Sequence, residues 1–157
     1  MTEAEQAAPQ FSIEKLYVKD MSLELPNAPQ IFLEQVSPEI EINMHNLATT
    51  LPQPGWYEVA LTVTVTARAQ EKTIFLVEVA QAGIFQILNL ADADLDAVLG
   101  VLCPNTLLPY AREVISNLIM RAGFPPVYLQ HINFDVAYQE RLRQLQQAQA
   151  TQPLQSH

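Results

Sequence analysis

Residues 56–68, WYEVALTVTVTAR, carry the clearest structural signal in the chain. Apolar and polar side chains alternate along it, which predicts a β-strand with one buried face and one solvated face. A period of two this clean is typical of antiparallel sheets that are covered on one side. The covered face would carry Tyr57, Val59, Leu61, Val63, Val65 and Ala67, and the other face Glu58, Ala60, Thr62, Thr64, Thr66 and Arg68.

A second strand follows closely on the first. The short segment 69–72 predicts a hairpin that leads into a strand at 73–81. Its alternation puts Phe75, Val77 and Val79 on the covered face. Ile74 and Leu76 fall on the opposite face, where we expect them to look exposed.

Two more strands precede the hairpin. The segment 39–45 alternates, with Ile40, Ile42 and Met44 on one face. The segment 11–25 alternates imperfectly, because Leu16 and Val18 break the parity. That parity is shared by Phe11, Ile13, Tyr17, Met21, Leu23 and Leu25.

The second half of the chain has helical periodicity. We expect a short helix at 91–102 and a longer one at 105–122, ended by Gly123. A last helix begins after Asn133 as N-cap. Its apolar stripe is Phe134, Tyr138, Leu142 and Leu145. Strands followed by helices predict an α+β two-layer domain.

One domain accounts for most of the 157 residues. Residues 1–10 predict a flexible arm, and residues 11–143 form the single domain. Residues 144–157 are rich in Gln and Ala and predict a flexible tail.

The composition points to a partner surface. Hydrophobic residues make up 49% of the chain and charged residues 16%, below the roughly 25% of a typical domain. Such a deficit favours an oligomer or an apolar binding surface. The net charge of −9 argues against nucleic-acid binding, which needs a basic patch. Excess acid suits a basic partner, or it merely maintains solubility.

Catalytic motifs are missing from the sequence. The four glycines are isolated, and no nucleotide-binding or nucleophile motif occurs. Cys103 lies far in sequence from any histidine and is better interpreted as a buried apolar residue. The N-terminal segment does not resemble a signal peptide, and no run could span a bilayer. We therefore expect a cytoplasmic protein that is not an enzyme, needs no cofactor and does not insert into membranes.

Three aspartates at alternate positions, Asp92, Asp94 and Asp96, raise the question of a metal site. Their spacing resembles the first ligands of a calcium loop, but Ala97 stands where glycine is needed. Cys103 stands where the loop needs a glutamate. We therefore expect no metal and place these acids at a helix N-terminus, where they favour the helix dipole.

Four strings carry a family resemblance: YVKDMSLELPNAPQIF at 17–32, YEVALTVTVTA at 57–67, FLVEVAQAGIFQI at 75–87 and LGVLCPNTLLPYAREVISNLIMRAGFPPVYLQHINFD at 99–135. In this order and spacing, the chain resembles the SecB family of protein-export chaperones over roughly residues 11–140. The resemblance implies an α+β fold, in which a four-stranded antiparallel sheet is backed by two helices, and it implies a homotetramer. Two first strands would pair edge to edge, and two dimers would stack through their long helices.

The resemblance also implies a function. Family members bind unfolded secretory precursors, prevent their folding and aggregation, and deliver them to the motor ATPase SecA. The implied client groove is Ile40, Ile42, Met44, Phe134, Tyr138 and Leu142. The implied SecA-docking face is Asp20, Glu24, Leu76 and Glu78. The end of the chain, QQAQATQPLQSH, lacks the acidic tail of many relatives.

Two other classes stay open from the residues themselves. A non-catalytic small-ligand-binding protein would need a closed pocket, which cleanly solvated strand faces disfavour. An oligomeric scaffold is the remaining alternative.

Overall fold

The computed structural model describes residues 7–151. The strands are β1 (Gln10–Glu24), β2 (Glu39–Thr50), β3 (Trp56–Ala69) and β4 (Lys72–Leu88). The helices are α1 (Asp92–Ala97), α2 (Cys103–Arg121) and α3 (Phe134–Ala150), and a π-helical segment (Val98–Leu102) joins α1 to α2. A single 3₁₀ turn (Gln30–Leu33) lies between β1 and β2.

The strands form one antiparallel sheet in the order β1-β4-β3-β2. The helix α2 packs across β4 and β3 and covers one face of the sheet. Of the predicted inner residues of β3, Tyr57 is half-buried and the others are buried there. Val59, Leu61, Val63 and Val65 are fully buried. Each such side chain contributes about 1.5–3 kcal/mol relative to exposure. The predicted α+β fold is confirmed, and we call the uncovered side of the sheet the open face.

The hairpin between β3 and β4 is confirmed. Its two turn residues, Gln70 and Glu71, have φ values of 50° and 66°. Positive φ at both central residues is the geometry that matches the twist of two hairpin strands. Ile74, expected to be exposed, is 1% exposed. It is the extra residue of a register shift, since Phe75 pairs with Ala67 while Thr73 pairs with Arg68.

Two register shifts in β1 explain its imperfect alternation. They fall between Ile13 and Lys15 and between Val18 and Asp20. Each extra residue moves the alternation by one position. The expectation that Tyr17 shares a face with Phe11 was therefore wrong. Instead, the residues that point to the covered side are Phe11, Ile13, Leu16, Val18, Met21 and Leu23.

Two predicted helix boundaries are confirmed, the C-terminal end of α2 and the start of α3. Gly123 has φ +89° and follows α2. The Asn133 side chain accepts a hydrogen bond from the Val136 amide at 3.2 Å and caps α3. The predicted tail boundary was wrong, because α3 continues to Ala150. Its Gln and Ala residues are good helix formers and extend the helix without needing a core.

Residues 1–6 and 152–157 lie outside the described residues. Most of the predicted arm and the end of the predicted tail fall there, so their flexibility stays a prediction.

Candidate functional site

A groove of about 430 Å³ lies between the sheet and α3. The strands β2 and β3 form one wall, and α3 forms the other. The π-helical segment contributes Gly100 to it. The lining residues are Met44, His45, Asn46, Leu61, Gly100, Ile132, Phe134, Ala137, Tyr138 and Arg141.

Three of the six predicted groove residues line this groove: Met44, Phe134 and Tyr138. Ile40 and Ile42 continue the same row of β2 beyond it, and they are 40% and 41% exposed. Leu142 is half-buried on α3 and does not line the groove. We use "β2 row" for Ile40, Ile42 and Met44, which pair with Ala67, Val65 and Val63 of the covered face.

Phe134 and Tyr138 are buried rather than freely presented, at 7% and 9% exposure. They are the buried residues of α3, and the two side chains therefore hold that helix against the body. By contrast, eight residues of the similarly long α2 are buried. The groove thus has one rigid wall and one lightly attached wall.

Tyr138 makes the most specific attachment of α3. Its hydroxyl donates a 2.6 Å hydrogen bond to Asp96 Oδ2. This bond, with a smaller effect of desolvation, raises the pKa of Tyr138. Its ring lies on Gly100, where an added Cβ would come within 2.9 Å of Cδ2. Glycine is required at 100 for this close approach.

The π-helical segment at the base of the groove has an identifiable cause. Pro104 has no N–H, so it cannot donate to a carbonyl of the preceding turn. The Cys103 amide bonds to the Val98 carbonyl, five residues back, which widens the turn. The Leu99 carbonyl receives instead the Asn46 side-chain Nδ2–H at 3.1 Å. Asn46 therefore ties β2 to the segment, a role that no sequence pattern predicts.

The open face brings the four predicted docking residues together. Glu24 pairs directly with Leu76, Ser22 with Glu78, and Asp20 with Ala80. Directly paired residues project to the same side of a sheet. The three carboxylates are exposed and Leu76 is half-buried. The Thr64 hydroxyl donates to Glu78 Oε2 at 3.1 Å.

A second polar cluster on the open face was not predicted. The Lys19 ammonium lies 2.6 Å from Glu58 Oε1, and the Tyr17 hydroxyl donates to Glu58 Oε2. Hydrogen bonds from Lys19 and then Tyr17 lower the pKa of Glu58. Burial, with the bond to Glu58, raises the pKa of Tyr17 to about 12. The cluster bridges β1 and β3 across β4, so it fixes the edge strand beside the docking residues.

Comparison with known proteins identifies the family. The family model of SecB, the preprotein translocase subunit, matches residues 4–145. The chain belongs to the SecB family. The protein-export protein SecB of Chromobacterium violaceum is 57% identical over 150 residues, which cover 96% of this chain and 98% of that one. SecB of Neisseria meningitidis serogroup B is 54% identical over 139 residues, or 88% and 94% of the two chains.

A solved structure supports the SecB-like fold. A Mycobacterium tuberculosis SecB-like chaperone, in complex with a ChAD peptide from an antitoxin, superposes with a TM-score of 0.64. The match covers 78% of this chain and 90% of that chain. At 16% identity, this likeness concerns the fold alone.

The β1 edge of this SecB family chain is rich in exposed apolar residues. Phe11, Ile13, Val18 and Met21 are between 37% and 56% exposed on the covered side of the sheet. Met21 also lines a shallow hollow with Leu118 and neighbouring residues of α2. Within residues 7–151, β4 is the one strand that pairs with β1, which leaves its other edge free.

Cys103 and the three aspartates of α1, which were candidates for catalysis or metal binding, have structural roles instead. Cys103 is fully buried, and burial raises its pKa to about 12, so the thiol is not a nucleophile at neutral pH. Asp92 and Asp94 lie in the first turn of α1. The expectation that Asp96 joins them was wrong, because it lies past the first turn of α1. There its carboxylate accepts the hydrogen bond of the Tyr138 hydroxyl.

Metal-ligand clusters and membrane-spanning helices are both absent from the described residues. Residues 7–151 contain no cluster of three or more His, Cys, Asp or Glu that could hold a metal ion. In the same range, no helix is both long enough and apolar enough to cross a membrane.

Proposed function

We propose that this chain is an export chaperone that binds unfolded precursor proteins, prevents their folding and aggregation, and delivers them to the SecA motor. The observation that carries the proposal is the apolar β2 row, which leads from solvent into a groove in a SecB family chain. The relatives matched over nearly their whole length are named for protein export.

The β2 row suits an unfolded apolar segment. Apolar burial contributes about 25 cal/mol per Å² and is not directional, so many client sequences can bind. Met44 at the mouth of the groove is flexible and adapts to different side chains. Phe134 and Tyr138 line the groove and also support the α3 wall, so we expect them to contribute less to client binding than the exposed β2 row.

The proposed assembly is a homotetramer built as a dimer of dimers. The free edge of β1 supports strand pairing between two subunits, because unpaired edges are otherwise a liability. The exposed Phe11, Ile13, Val18 and Met21 support apolar contacts beside that edge. Leu118 of α2, at the hollow with Met21, supports stacking through the long helices.

The proposed SecA-docking face is Asp20, Glu24, Leu76 and Glu78. Three exposed carboxylates around a half-buried leucine suit a compact basic module. Clients and motor would bind opposite sides of the sheet, so both can be held at once. The protein would act in the cytoplasm without catalysis or cofactor, and the buried thiol of Cys103 supports the non-catalytic role.

The test is dilution of a denatured secretory precursor into buffer with and without the chain. We expect near-stoichiometric suppression of aggregation and refolding. The double variant Ile40→Ser with Ile42→Ser should suppress both less well. Its control is Glu41→Ser with Asn43→Ser, on the other face of the same strand.

Equal activity of both double variants would reject the β2 row as the client surface. No suppression by the unaltered chain would reject the chaperone function. It would favour a small-ligand-binding protein, whose sites have volumes similar to that of this groove.

A further inference from the structure

Asn46 presents an unusual acceptor at the base of the groove. Its Nδ2 donates to the Leu99 carbonyl, which fixes the orientation of the amide. Its Oδ1 is shielded from solvent, and no donor within residues 7–151 is in hydrogen-bonding range. A buried carbonyl oxygen without a donor is unfavourable. The amide cannot rotate to correct this without releasing Leu99.

The position of Asn46 connects this acceptor to the groove. Asn46 lines the main groove and also an adjoining hollow of about 70 Å³. Gly100 and Arg141 line both spaces too. Gly100 adds no side chain of its own, and the Tyr138 ring packs on it. Arg141 is exposed on the lightly attached α3, and its long side chain can move at low cost.

We propose that Asn46 is the polar anchor of the groove and that its Oδ1 accepts a main-chain N–H from an extended client segment. This inference rests on the proposed function and adds the chemical feature that the groove recognises. To reach the oxygen, the inserting segment displaces the side chains that line this part of the groove, including that of Arg141. The donor thereby removes the unfavourable state of Oδ1.

A main-chain donor fits better than a side chain. The groove walls contributed by Met44, Leu61, Ile132 and Phe134 favour apolar client residues, whose side chains have no N–H. Their main chain supplies one N–H per residue. In a helix those groups are already bonded, whereas in an extended chain they are free. Asn46 would therefore select unfolded segments over helical ones, independently of sequence.

The experiment uses a short unstructured peptide rich in leucine and aromatic residues. Each peptide bond in turn is replaced by an ester, which keeps the shape and removes one N–H. Affinities are measured for the unaltered chain, for Asn46→Leu and for Asn43→Leu. Asn43 is a matched control, because it lies on the opposite face of the same strand and pairs with Thr64.

We expect one ester position to weaken binding to the unaltered chain by about fivefold to tenfold, as the loss of one hydrogen bond implies. Asn43→Leu should show the same loss, and Asn46→Leu should show none. Comparison between variants cancels the weaker acceptor strength of an ester carbonyl. If Asn46→Leu fails to fold, Asn46→Lys replaces it, since an ammonium group can donate to Leu99 but has no lone pair to accept a client N–H.

Other outcomes overturn the inference. No sensitive position in the unaltered chain would mean that Oδ1 does not receive a client N–H. Equal loss in all three proteins would assign the N–H to another acceptor. If the unaltered chain binds no peptide at all, the proposed function itself fails.

Discussion

Along β3, the covered face and the open face of the sheet differ sharply in burial. Val63 and Val65 are fully buried on the side of α2, while Thr62 and Thr64 between and beside them are half-buried on the other side. One strand thus serves the core with one face and leaves the other for partners. On β3, therefore, substitutions on the covered face mainly alter stability, whereas substitutions on the open face can leave it nearly unchanged.

The first prediction, with the largest change in stability, compares substitutions at two neighbouring positions of β3. Val63→Asp would bury an unpaired carboxylate and leave a cavity, so we expect a loss of at least about 3 kcal/mol in the free energy of unfolding. Thr62→Asp, on the open face, should change it by about 1 kcal/mol or less. Urea unfolding measures both. Similar losses would contradict the assignment of the two faces.

The second prediction concerns the open face. Asp20→Lys, Glu24→Lys and Glu78→Lys together should weaken SecA binding by more than tenfold, because several weak ion pairs act jointly. Binding by the unaltered chain should also weaken with salt as the screening length falls below about 8 Å. Calorimetry with purified SecA measures both effects.

The control for this reversal moves the same charges elsewhere. Glu71→Lys, Asp94→Lys and Glu140→Lys alter three exposed acids away from the docking residues. This control should bind SecA nearly normally, and both triple variants should bind clients. Equal weakening in the two would mean that net charge, rather than the docking face, governs binding.

The third prediction separates the two helices of the covered side. Tyr138→Phe keeps the ring on Gly100 and removes the bond to Asp96, so α3 should open more often. Trypsin should then cleave after Arg141 and Arg143 about threefold to tenfold faster. Cleavage after Arg112 and Arg121 of α2 provides the internal control. Faster cleavage in both helices would show global destabilisation instead.

The smallest expected effect is the pH response of Glu58. Because Lys19 and Tyr17 lower its pKa, Glu58 stabilises the fold above its unfolded pKa of about 4.3, and this contribution is lost as the pH falls further. Glu58→Gln should therefore lose less stability on acidification, by under about 1 kcal/mol for this partly exposed group. Urea midpoints on both sides of that pH measure it. Lys19→Ala should reduce the difference, and no change would disprove the linkage.

The sequence predicted most of the sheet because alternation is strong wherever one face is buried. It did not predict the bulges in β1 or the continuation of β4 past residues with low strand propensity. The extra residue between Ile13 and Lys15 reversed the side of Tyr17, and the sequence showed it only as broken alternation, which does not locate a bulge. The strand β4 continues past Ala82 and Gly83, which have low strand propensity. Gly83 is explained by its position, since a Cβ there would approach the Phe85 ring to 2.9 Å.

The candidate site was less predictable than the fold. Register alone placed Asp20, Glu24, Leu76 and Glu78 on one face, so parity arguments sufficed there. Tyr138 both lines the groove and holds α3 through Asp96, and the resemblance that pointed to it does not distinguish these two roles. No sequence pattern pointed to Asn46, because its role depends on the Leu99 carbonyl, which is distant in sequence and which Pro104 leaves without a main-chain donor.

The strand order has a consequence for the synthesis of the chain. β1 emerges first from the ribosome, but its partner β4 begins at Lys72. At about 5–20 residues per second, β1 waits roughly 2–10 seconds while the intervening residues are made. The β2–β3–β4 meander can form meanwhile from neighbouring segments. The strand proposed to join two subunits is thus the last to dock within one, so completion of folding and assembly fall close together in time.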